Sequence, residues 1–228
     1  MSLPIILLEF DDVFASTRAL RAGALRSALA VDGLLLTDDM YETSCAGLSF
    51  AAAARAACRM ARGGADETTV ELAALRADRE YARCAARGIA LAAGAADFVR
   101  GAAGAARLGL VARSARRDVS LLLTFAGLDD AFECVITEED CTGPAPSPDP
   151  FAQARTRLAR RSPVVQDEGV ALVASVGAAA AARAARFRTI VVGSVPSAVA
   201  FAGDGWLATL DGVRVADVMR IGEGAQAP

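Results

Sequence analysis

Short apolar runs alternate along the chain with longer stretches whose apolar residues recur at helical spacing. Residues 4–9 (PIILLE) form an apolar run that ends in an acid, which predicts a buried strand delivering polar groups at its carboxyl end. Helical spacing then covers 17–30, 38–45, 50–62 and 69–87, with turn signals at Asp32-Gly33 and Gly63-Gly64. No strand candidate falls between about 16 and 92. Beyond that point strands and helices alternate. Strands are predicted at 108–112, 132–137, 170–174 and 189–192, with a last short one at 206–210. Helices are predicted at 97–106, 116–125, 150–161 and 176–187. This order implies an α/β fold, a Rossmann-like parallel sheet core with an all-helical cap inserted after strand 1. The expected domains are 1–15 with 93–228 for the core and 16–92 for the cap, with a disordered tail, GEGAQAP. In such a sheet the ligand crevice lies outside the carboxyl ends of the strands.

Composition sharpens this reading. The chain has 228 residues, 54% hydrophobic, yet about a quarter of it is alanine and only 5% is aromatic, which favours packed helices. All 24 basic residues are arginine, and lysine, histidine and asparagine are absent, as a GC-rich genome would produce. The absence also excludes a histidine base, a lysine Schiff base, a lysine phosphate clamp and a His-ligated metal. A net charge of −3 argues against a general nucleic-acid binder. No apolar run reaches the roughly 20 residues of a membrane span. The opening MSLPIILLEFDD lacks the basic start of a signal peptide. The five cysteines are scattered without a CxxC pair, so a cytoplasmic protein with reduced thiols is expected.

Four stretches carry a resemblance. Residues 9–17 (EFDDVFAST) are similar to an opening Asp-x-Asp-Gly-Val-Leu-x-Asp-Ser pattern, and 108–114 (LGLVARS) to a strand ending in Thr or Ser. Residues 146–151 (PSPDPF) resemble the end of Lys-Pro-x-Pro-Asp-Pro-Phe, and 172–191 a strand, acidic turn and alanine-rich helix. In this order, with a helical block containing Gly33-Leu34 and Ala46-Gly47-Leu48-Ser49, the chain resembles the haloacid dehalogenase-like superfamily. The likeness is to the branch of β-phosphoglucomutase and phosphoglycolate phosphatase, which includes the Calvin-cycle sugar-bisphosphate phosphatases.

The resemblance implies a nucleophilic aspartate, a second aspartate that shuttles the proton, a Thr or Ser and a Lys on the phosphoryl oxygens, and a late acid completing a Mg²⁺ site. This chain departs at most of these positions. Glu9 stands at the nucleophile position, and one extra methylene displaces the carboxylate by about 1 Å, a misplacement that can cost ~10²-fold in rate. Asp11 is retained at the acid/base position, and Asp12 replaces the usual glycine. Alanine occupies the hydroxyl position (Ala112), the lysine position (Ala145) and the late acid (Ala174), while Ser175 is kept. An alternative placement of the fourth motif on residues 164–168 restores an acid at Asp167. Because phosphoryl transfer rests on positioning and charge neutralisation, these losses remove the catalyst itself.

The expectation is therefore a catalytically degenerate pseudo-phosphatase acting as a binding, scaffold or regulatory subunit with a protein partner and no cofactor. The alternative is a weak or rewired Mg²⁺-dependent sugar-phosphate phosphatase or phosphomutase-like hydrolase, with Mg²⁺ held weakly by Glu9 and Asp11. Arg113, Ser114 and Ser175 are candidate anion-binding residues, and Arg113, Arg116 and Arg117 cluster at a helix start that could hold an anion or simply be solvated. Asp38-Asp39 and Glu138-Glu139-Asp140 read as helix-capping acids, with a cation site as the other option. In the cap, Leu48 stands where sugar-phosphate enzymes of the branch often carry a basic residue. Val70, Leu72, Leu75, Tyr81 and Cys84 form a stripe that either packs the core or docks a partner. Trp206, the lone tryptophan, reads as a core or interface anchor.

Overall fold

A computed structural model describes residues 3–64, 66–141, 149–160, 169–193 and 203–222. They fall into two compact units, Met1–Ser16 with Leu91–Pro228, and Thr17–Ala90.

The first unit is built on a parallel sheet. Its strands are β1 (Ile5–Glu9), β2 (Arg107–Val111), β3 (Cys134–Ile136), β4 (Gly169–Val173), β5 (Arg188–Val192) and β6 (Gly205–Leu207). Their spatial order is β3-β2-β1-β4-β5-β6, so the first strand of the chain lies in the middle. Ile5 is registered on Arg107 of β2 and on Gly169 of β4. Central strands are covered on both faces, and β1, β2 and β4 are accordingly buried along their full length. One layer of this core joins Leu7, Ile136, Phe151, Leu158, Val173 and Ala182. Helices α5 (Ala95–Ala102), α6 (Arg116–Ala126), α7 (Asp149–Ala159), α8 (Val176–Ala184) and α9 (Val215–Gly222) accompany the strands.

Gly94 shows how closely the backbone packs here. It begins α5 at φ +74°, and a Cβ added to it would lie 2.2 Å from the Asp211 backbone nitrogen. Only glycine satisfies both the left-handed conformation and that approach.

The second unit contains α1 (Arg18–Ala30), α2 (Asp38–Ser44), α3 (Phe50–Arg62) and α4 (Glu67–Ala85). Side-chain oxygens of Thr37, Ser49 and Asp66 accept from the backbone N–H groups of Met40, Ala52 and Thr69, which starts α2, α3 and α4. Its core interleaves Leu25, Leu29, Phe50 and Tyr81 with alanines such as Ala54, Ala57, Ala73 and Ala77, whose small size lets the helices approach closely. Arg21 is buried within it. Its guanidinium lies 4.6 Å from the Phe50 ring centroid and 5.6 Å from that of Tyr81, and it donates to the Leu48 carbonyl at 2.9 Å.

Several sequence expectations shift. The strand expected at 132–137 narrows to Cys134–Ile136, because β3 is a sheet edge with one neighbour. The helix expected at 97–106 begins and ends earlier, at Ala95–Ala102. The last strand occupies Gly205–Leu207, and Trp206, 44% exposed, donates from Nε1 to the Gly193 carbonyl instead of anchoring a core. Helix α9 was not anticipated, although Val218 and Ile221 are buried at helical spacing. The stripe on α4 divides: Val70 and Tyr81 face inward, while Leu72 and Leu75 are exposed. The tail at 223–228 lies outside the described residues.

Candidate functional site

The carboxyl ends of β1, β2 and β4 bring together Glu9, Ala112 and Ala174. Glu9 closes β1 and is buried. The chain then turns sharply: Phe14 N–H donates to the Glu9 carbonyl at 3.2 Å, and Ala15 N–H to the Phe10 carbonyl at 2.8 Å. Asp11 is buried in this turn. Asp12 takes φ +66°, the left-handed conformation for which the family's glycine is suited. The departure noted in sequence at this position therefore carries a backbone cost.

The Glu9 side chain reaches across to β4, where its Oε2 accepts from the Ala174 N–H at 2.8 Å. Burial pushes its pKa up to about 8; the Ala174 hydrogen bond and Arg113 oppose the rise, and the neighbouring Asp11 and Asp12 add to it. At neutral pH this carboxyl is mainly protonated. In that state it is a poor nucleophile, and a cation bound beside it would itself favour the ionised form.

Ala112 and Ala174 are both buried, and a methyl group offers a phosphoryl oxygen neither a hydrogen bond nor charge. The Ala112 N–H is engaged by the Ile136 carbonyl at 2.8 Å. Ser175 is buried, and its hydroxyl caps α8 by accepting from the Ala178 N–H at 3.1 Å. Ser114 is buried, and its carbonyl accepts from the Glu138 N–H at 3.3 Å. Arg113 is half-buried, close enough for its charge to act on Glu9. Ala145, the 146–151 motif up to Pro148, and Asp167 lie outside the described residues. Among the described residues no three His, Cys, Asp or Glu side chains converge to hold a metal ion. Glu9 and Asp11 supply two carboxylates, which suits Mg²⁺ only if water or phosphate oxygens complete its shell.

The second strand-end region, after β3, uses its acids as caps. Thr137 opens a short 3₁₀ turn, Glu138–Asp140, and forms a reciprocal capping box with Asp140. Asp140 accepts from the Thr137 N–H at 3.0 Å, from Arg116 Nη2 at 2.7 Å and from Arg157 Nη2 at 2.6 Å. Burial alone would raise its pKa, but these bonds outweigh it and hold the carboxyl far below the usual range. Glu139 sits on the first N–H of α6, accepting from Arg116 N at 2.9 and 3.0 Å. The anion position expected at this helix start is thus taken by the protein's own carboxylate. Sequence reasoning did not find the bonds from Glu9 to Ala174 and from Asp140 to Arg157, since neither is signalled by local spacing.

No family model matches the sequence, and no curated protein matches it. Solved structures do match in fold. CbbY from Rhodobacter sphaeroides in complex with phosphate superposes with a TM-score of 0.75 at 21% identity, covering 95% of this chain and 99% of that one. A mutant of CbbY in complex with xylulose-1,5-bisphosphate matches at 23% identity and a TM-score of 0.75, with the same coverage of 95% and 99%. β-Phosphoglucomutase from Clostridium difficile matches with a TM-score of 0.77 at 14% identity, covering 97% of this chain and 98% of that one.

Proposed function

Starting from the haloacid dehalogenase-like fold of this chain, we propose that it is a catalytically degenerate phosphatase-type protein that binds a protein partner. The observation that carries the reading is the Glu9 side chain. It stands at the nucleophile position, buried, tied to the Ala174 N–H and mainly protonated at neutral pH. Beside it, alanines occupy the places where a phosphatase of this kind needs a hydroxyl and an acid. Without preorganised donors and cations, charge developing on a transferring phosphoryl group is left unstabilised. Selection for turnover would not tolerate this combination, whereas selection for a folded binding surface would.

A second reading is favoured by the structural neighbours, which include a phosphate complex, a xylulose-bisphosphate complex and a phosphoglucomutase. Together with the retained Asp11, they support a weak Mg²⁺-dependent sugar-phosphate hydrolase. Bound Mg²⁺ would supply positive charge, and Glu9 and Asp11 would hold it, Glu9 giving up its proton to do so.

Turnover of xylulose-1,5-bisphosphate and of small sugar phosphates with Mg²⁺ separates the two. The pseudo-phosphatase reading expects the same rate for the intact chain and for Glu9→Ala. Mg²⁺-dependent turnover that disappears in Glu9→Ala or Asp11→Ala would overturn it in favour of the hydrolase. The combined change Glu9→Asp, Ala112→Thr, Ala145→Lys and Ala174→Asp is expected to create measurable activity. Gentle pull-down of the native complex is expected to bring a stoichiometric partner with the chain.

A further inference from the structure

A cleft of about 440 Å³ opens at the β3 edge of the sheet, lined by Arg116, Arg157, Arg160, Glu133 and the backbone of Cys134 and Val135. Its volume is within the range of small-molecule sites, roughly 300–1,000 Å³. Arg116 comes from α6, Arg157 from the last turn of α7 and Arg160 from the residue just after it.

The charges here do not cancel. Glu133 is taken by Arg107, whose Nη2 lies 3.0 Å from its Oε2. Glu139 is spent on the α6 backbone. Asp140 alone serves both Arg116 and Arg157, one carboxylate for two guanidiniums. Arg160 is exposed and forms no ion pair among the described residues. Shielding of the edge strand accounts for Arg157, which donates from Nη1 to the Val135 carbonyl at 3.2 Å. It does not account for Arg160, nor for the second guanidinium on Asp140. With Arg107, four guanidiniums stand here against the carboxylates of Glu133, Glu139 and Asp140, a local excess of one positive charge in a chain of net charge −3.

We propose that this cleft binds a phosphate monoester dianion carried by a small molecule. Guanidinium forks match tetrahedral oxyanions in pairs, and Arg keeps its charge at every physiological pH. Arg160 supplies the free fork, and Arg116 and Arg157 supply the donors that Asp140 leaves unused. The site lies at the sheet edge, so it stands or falls independently of the catalytic state of Glu9.

The test is calorimetric titration of the full chain with inorganic phosphate and with glucose 6-phosphate at constant ionic strength. Saturable binding is expected, weakened three- to tenfold in Arg160→Gln, as the loss of one charge-assisted hydrogen bond implies (about 1 kcal/mol). Arg160→Lys, which keeps the charge and loses the fork, is expected to fall between. Because Arg160 has no ion pair among the described residues, its variants should melt like the parent chain. Stronger binding of glucose 6-phosphate than of phosphate supports a small-molecule ester as the ligand. Absence of saturable binding overturns the proposal, and so does unchanged affinity in Arg160→Gln. Affinity lost in Glu9→Ala but kept in Arg160→Gln would place the anion in the crevice and overturn it as well.

Discussion

Two carboxylates stand at the end of β1 and after β3, on either side of β2 in one sheet, and have opposite fates. Asp140, after β3, is held by a backbone N–H, the Thr137 hydroxyl and two guanidiniums, and stays ionised. Glu9, at the end of β1, has one backbone N–H, no guanidinium hydrogen-bonded to it among the described residues and two acids nearby, and it holds its proton to about pH 8. Burial pushes both the same way; the number of donors decides the outcome. Asp140 is thus held ionised by several donors, whereas Glu9 has a single backbone donor.

The largest expected effect is on Glu9. Its folded pKa lies above the ordinary value of 4.5, so the folded state binds the extra proton between about pH 4.5 and 8. Stability should therefore fall as pH rises through that window, by up to about 1.4 kcal/mol per unit. Glu9→Gln keeps an acceptor for the Ala174 N–H and should flatten this slope, which chemical denaturation at pH 5, 6.5 and 8 would measure. An unchanged slope in the variant would remove the contrast on which the comparison rests.

Asp140 should behave in the opposite sense. Its folded pKa is depressed, so its contribution is fully present above about pH 4 and is lost as pH falls below that. Asp140→Asn at pH 7 should cost about 2–3 kcal/mol, because two guanidiniums lose their charged acceptor. Urea midpoints of the variant and the parent chain would show it.

The smallest effect is expected at Asp12. Asp12→Gly relieves the positive φ and should stabilise the fold by roughly 0.5–1 kcal/mol. It also removes one acid from beside Glu9, so the Glu9 titration should move downward, as carboxyl NMR shifts would report.

The outline of the fold was legible because its signals are local. An apolar run bounded by polar residues marks β1, β4 and β5 wherever the strand is buried on both faces. Helical spacing marks α3 over its full length, but α4 begins at Glu67, ahead of the expected 69, where Asp66 caps it. Legibility fades at edges. The β3 run reads longer than it pairs, since only one neighbour supplies hydrogen bonds. α9 was missed because it is short and follows a polar turn, although most of its residues are apolar. In the candidate site, residue types could be read at Glu9, Ala112 and Ala174, but not the state of Glu9. That state depends on a donor from the far side of the sequence, the Ala174 N–H, and on a depth of burial that no local pattern encodes. The cationic cleft is invisible for the same reason, since Arg116, Arg157 and Arg160 meet only once β3 is in place.

The central position of β1 also dictates a timetable. Ile5 is synthesised long before Arg107 and Gly169, the residues it is registered on. The helices of 17–90 pack among themselves and can settle while the ribosome is still working, because their contacts are close in sequence. The nascent β1 must wait, apolar and unpaired, until β2 and then β4 have emerged, which makes it a segment in need of chaperone cover during translation.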